Sequence, residues 1–91
     1  MDNNIMNLDR DQLYQFCDHL PEPVIARPVL TAYRGRGMTL ALEAQGALNL
    51  LVERGQPVTF DSIEAVLFEL DGAPNVDTSR LVIEAGHYWT H

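Results

Sequence analysis

The stretch TLALEAQGALNLLVER, Thr39 to Arg54, decides how the rest of the chain is read. Leu40, Ala44, Ala47, Leu48 and Leu51 fall at helical spacing and make one apolar stripe. Thr39 stands where a cap is expected. The spacing predicts a helix from about Thr39 to Arg54, closed by Gly55 in the left-handed position. Leu42, Leu50 and Val52 add apolar surface beyond the stripe. A helix this apolar faces both its own core and a partner, so these three residues are candidates for a partner or dimer interface. Gly46 weakens a helix relative to alanine, which is explained if another backbone approaches it closely.

Downstream, ERGQPVTFDSIEAVLFELDG (Glu53 to Gly72) reads as a helix end, a turn and a second helix. Thr59 caps that helix, Val58 and Ile63 are placed to staple it, and Asp61 and Glu64 suit the positive end of its dipole. Ile63, Val66, Leu67 and Leu70 form its buried stripe, and Gly72 followed by Pro74 ends it. The shape fits a DNA-reading helix-turn-helix over 53–72 or a plain antiparallel helical hairpin. From Gly55 to Ser79 there is no lysine or arginine, so the charge favours the hairpin. The last segment, Asp77 to Trp89, fits a helix capped by Asp77, or a strand beginning at Leu81-Val82-Ile83. The helix is preferred because no other segment offers a sheet partner.

Upstream, Asp9 caps a first helix, with Leu13, Phe16, Cys17 and Leu20 on one stripe and Pro21 as its stop. Residues 1–7 are expected to fray, and 21–38 to be a proline- and glycine-rich connector. Arg34 and Arg36 in that connector can contact an anion. The expectation is one all-α domain over 1–91, with three or four helices built on a central antiparallel hairpin.

The formal charge is -7, with six basic residues, all arginine. That balance disfavours nucleic acid and anionic membranes as partners. No apolar run is long enough to span a bilayer, and a lone cysteine fits a reducing compartment, so a soluble cytoplasmic protein is expected. Cys17 and His19 are neighbours but diverge on a helix, which makes Cys17 a core residue rather than a nucleophile. His87 and His91 have ligand spacing, yet no cluster completes a metal site. No catalytic, cofactor-binding or metal residue is assigned, and an enzyme is not expected. Tyr88 and Trp89 either close the core or anchor a partner.

The segment from Leu42 to Thr90 resembles small bacterial biofilm and stress connector proteins of the YmgB/AriR type. ALNLLVERG, GQPVTF and SIEAVLFEL carry the resemblance. It implies a helical homodimer that regulates by protein contact, and it carries over no site residue. The function expected is therefore that of a small acidic regulatory protein acting by protein–protein binding as a homodimer. The alternatives are a DNA-binding transcriptional regulator and a mobile-element-encoded inhibitor of a basic host enzyme.

Overall fold

The computed structural model describes residues 5–86. The fold is built on a mixed sheet, not on helices. In chain order the elements are β1 (Ile5–Asp9), a 3₁₀ turn (Arg10–Gln12), α1 (Leu13–Asp18), β2 (Arg27–Tyr33), β3 (Gly37–Ala44), β4 (Ala47–Glu53), β5 (Gln56–Pro57), β6 (Thr59–Phe60), α2 (Ile63–Leu70) and β7 (Val82–Glu84). The strand order is β1-β4-β3-β2-β7, with β5 beside β4 and β6 beside β3. β2, β3 and β4 form an antiparallel meander. β1 joins it parallel to β4, and β7 joins it parallel to β2.

The expected all-α hairpin is overturned at Thr39 to Arg54, which forms two paired strands and a tight turn. Gln45 and Gly46 both have positive φ, at 53° and 80°, and Ala44 pairs with Ala47 across them. That is the primed two-residue turn whose twist matches a hairpin. Arg54 and Gly55 repeat the device, at 54° and 78°, between β4 and β5. Gly46 therefore serves backbone conformation rather than helix packing, and a Cβ there would meet nothing within 4 Å. Ala, Leu and Glu prefer helices only weakly, and burial between flanking strands outweighs that preference.

Alternation then sorts the side chains. Leu8, Leu30, Leu40, Leu42, Ala44 and Leu51 point to one face, and α1 and α2 cover it with Leu13, Cys17, Val66 and Leu70. Each fully buried leucine contributes roughly 1.5–3 kcal/mol. Asn49 shares this face and resolves its burial by donating from Nδ2 to the Leu42 carbonyl at 3.1 Å. Asn75 Nδ2 donates to the Cys17 carbonyl at 3.0 Å, tying the approach to β7 to the end of α1.

The two short helices were legible in sequence. Asp9 does cap the first turn, accepting from the Asp11 amide at 3.0 Å, and Leu13, Cys17 and Leu20 are buried. α2 is capped by Ser62, whose Oγ accepts from the Ala65 amide at 3.1 Å; Thr59, the expected cap, lies in β6. Residues Ile5–Asn7, expected to fray, belong to β1, and the expected connector contains β2. The helix-turn-helix reading of 53–72 fails because strands β5 and β6, not a helix, precede α2. The last segment takes the strand alternative as β7, and Asp77 caps a local turn by accepting from the Ser79 amide at 3.1 Å. The residues carrying the connector-protein resemblance fold mainly as strands, so the helical architecture it implied is not found.

Candidate functional site

The sheet face opposite the helices is the candidate site. By strand alternation it carries Val29, Thr31 and Tyr33 from β2, Thr39 and Ala41 from β3, Leu48 and Leu50 from β4, and Ile5 from β1. Ala41 lies opposite both Leu50 and Val29 in register, so the centre of the face is apolar. A concavity of about 190 Å³ opens there, lined by Ile5, Ala41, Leu48, Leu50 and the hydroxyl-bearing Thr31, Tyr33 and Thr39. A second hollow of about 330 Å³ shares Tyr33, Thr39 and Pro57 with it and is walled by Arg36. The other end of the face is closed by Arg27, whose Nε and Nη2 donate to Glu43 Oε1 at 3.0 and 2.7 Å.

Only part of the expected interface reaches this surface. Leu50 lines the concavity. Leu42 does not, because at 1% exposure it belongs to the core under the helices. Val52 falls on this face by alternation, opposite Asp9 of β1 and Pro57 of β5, but is buried at 5%. Tyr88 and Trp89 lie outside the described residues. Arg34 and Arg36 sit on the β2–β3 loop, both exposed, and Arg36 borders the hollow. Sequence reasoning missed Ile5, Val29, Thr31, Tyr33, Thr39, Ala41 and Leu48. The available signal was the pair of glycine turns nine residues apart, Gly46 and Gly55, which bounds a strand-length segment.

Glu53 and Glu69 share one cation. Arg10 grips Glu69 with two bonds, Nε to Oε2 at 2.8 Å and Nη2 to Oε1 at 2.6 Å, and reaches Glu53 Oε1 at 3.4 Å. The hydrogen bond to Glu69 raises the Arg10 guanidinium further above its ordinary value. This clamp ties the end of β1 to α2 and to the end of β4.

Cys17 is fully buried, and desolvation pushes its thiol up to about 11. It is held protonated and has no path to a substrate. His19 turns away from it and donates from Nδ1 to the Gln15 carbonyl at 2.7 Å. Among the described residues no group of three or more His, Cys, Asp or Glu is arranged to hold a metal ion. No described helix is long and apolar enough to cross a membrane. No protein-family model, no curated protein and no solved structure matches this chain.

Proposed function

We propose that this chain is a small regulatory protein of the bacterial cytoplasm that works by protein contact rather than catalysis, and that the open face of its sheet pairs with the same face of a second copy. The observation that carries the reading is a sheet that, among the described residues, is covered by helices on one side only, and whose opposite face is apolar at its centre through Val29, Ala41, Leu48 and Leu50. Two such faces stack about 10 Å apart and interdigitate, as in a sandwich. An isologous contact of this kind closes on itself and needs no third copy. The charge pattern favours a second copy despite the net -7. The centre of the face carries no charge, the Arg27–Glu43 pair at one end is already neutralised, and Asp9 and Glu84 lie on the outer strands. Two faces can therefore meet without opposing like charges at their centres.

The test is the mass in solution by light scattering across a wide concentration range. The wild type is expected to be a dimer, and Leu50→Asp a folded monomer with unchanged far-ultraviolet circular dichroism. Leu42→Asp is the contrast, since a charge on the buried side unfolds the domain. A wild type that stays monomeric at millimolar concentration, or a Leu50→Asp protein that stays dimeric, overturns the assignment.

A further inference from the structure

The helix layer carries a second surface of different character, independent of the self-association proposed above. α2 turns Val66 and Leu70 into the core, which forces its other side into solvent. Phe68 stands there 82% exposed, with Leu67 beside it at 37%. An isolated exposed leucine is ordinary, but a phenylalanine exposed to this degree is not explained by folding. Next to Leu67 a hollow of about 370 Å³ opens, walled by Leu70, Ala73 and Val76, with Asp71 among its lining residues. The apolar crest of the helix thus borders a depression at its C-terminal end whose exposed lining is more polar than apolar, with Asp71 and Thr78 beside Leu67, Ala73 and Val76.

The charge carried by this stretch of chain has one sign. Glu64 and Asp71 stand four residues before and three residues after Phe68, positions that bring them to its side of the helix. Between Gly55 and Ser79 there are five carboxylates and no Lys, Arg or His. The one guanidinium that reaches α2 is Arg10, and Glu69 and Glu53 already occupy it. Among the described residues Asp61, Glu64 and Asp71 make no ion pair.

We propose that this side of α2 docks an amphipathic helix of a partner protein, one whose apolar stripe is flanked by lysines and arginines. The stripe packs against Phe68 and Leu67, with a side chain entering the hollow, at the 8–10 Å separation of packed helices. The flanking cations pair with Glu64 and Asp71. An aromatic anchor inside a charged rim is the usual make-up of a binding hot spot. The acidic field speeds encounter and makes it salt-dependent. The same field selects against the other occupants. Nucleic acid and anionic lipid are repelled, and a second copy would bring an equally acidic α2.

The test uses a synthetic amphipathic helix with a leucine and tryptophan stripe flanked by lysines, titrated into the isotopically labelled protein and followed by amide NMR shifts. Two controls accompany it, a scrambled peptide of the same composition and a version with glutamates in place of lysines. Saturable shifts confined to α2 and the 71–78 segment are expected, with neither control binding. Phe68→Ala should weaken binding about tenfold or more, as expected of a hot-spot side chain. Glu64→Gln with Asp71→Asn should flatten the salt dependence while the folded spectrum is kept. Because Phe68 is almost wholly exposed, its loss does not threaten the fold. Equal binding of the scrambled peptide, shifts elsewhere on the domain, binding of the glutamate peptide, an unaffected Phe68→Ala, or no shifts at all would each overturn the proposal.

Discussion

Gly37 separates the sheet from any helical alternative. Read along the sequence it belongs to a loose connector, where alanine should be harmless or mildly stabilising. In the fold it starts β3 at φ +85°, and a Cβ built on it would lie 2.6 Å from the Phe60 carbonyl oxygen and 3.4 Å from the carbonyl carbon. Both are backbone atoms of β6, the strand that pairs with Met38 and Thr39, so no rotamer change can relieve the clash. The left-handed backbone costs an alanine roughly 1–2 kcal/mol. Crowding packed atoms adds roughly 1–3 kcal/mol. The unfolded chain returns about 0.4–1 kcal/mol through its lost flexibility. Gly37→Ala should therefore lose about 1–5 kcal/mol. Gly35 is the control, because its φ is +75° but nothing lies within 4 Å of an added Cβ. Gly35→Ala should lose only about 1 kcal/mol, the backbone term less the entropy returned. Urea unfolding measures both, and with a slope of about 1 kcal/mol/M the two midpoints differ by roughly 1–3 M. Equal midpoints for the two variants would refute the packing of β6 against the start of β3. A Gly37→Ala protein as stable as wild type would refute the hairpin itself.

Two further predictions follow from the helix layer and the core. Ser62→Ala should destabilise by about 1 kcal/mol through loss of the cap on the Ala65 amide, whereas Thr59→Ala, on an exposed strand position, should cost much less; thermal melts of the two variants rank them. Cys17 sets a pH dependence. Its folded thiol is pushed up to about 11 from an ordinary 9.0, so below pH 9 it contributes nothing to the pH dependence. Between pH 9 and 11 the unfolded chain ionises first, and stability falls by about 1.4 kcal/mol per pH unit from this group. Cys17→Ala lacks that loss, so its stability gap to wild type should narrow over this window in denaturant titrations. A constant gap would mean that the thiol is not desolvated.

The two surfaces proposed here divide the molecule by chemistry. The open sheet face is apolar at its centre, with the Arg27–Glu43 pair neutralised at one end, which suits a like partner. The α2 side is aromatic and acidic, which suits an unlike one. Arg10 lies at the junction of the layers, and its clamp on Glu69 keeps one carboxylate of α2 out of the acidic rim.

What the sequence by itself determined was local. Leu13 and Cys17 mark the buried side of α1, which ends at Asp18, three residues before the proline expected to stop it. Val66 and Leu70 are the buried residues of α2, and Gly72 takes the left-handed position just past its end, at φ +84°. Gly46 and Gly55 were legible only as glycines: the spacing put Gly46 inside a helix and Gly55 at its end, whereas both stand in hairpin turns at φ +80° and +78°. The net acidity and the want of a cation from Gly55 to Ser79 are also plain from sequence. The strands were not, because Thr39 to Arg54 is apolar on both alternating faces. Leu40, Leu42 and Leu51 fill the core side while Ala41, Leu48 and Leu50 fill the other, so a two-residue period leaves no polar face to reveal it. Only tertiary structure removed the ambiguity. β1 pairs with β4 some forty residues away, Leu8 opposite Leu51, and β2 flanks β3, Leu30 opposite Leu40. Those partners satisfy the backbone of the central strands and outweigh the weak helical preference of Ala, Leu and Glu. The site depends on the same step. Its residues come from four strands, and which of them share a face is fixed by register, a property that exists only once the strands have paired.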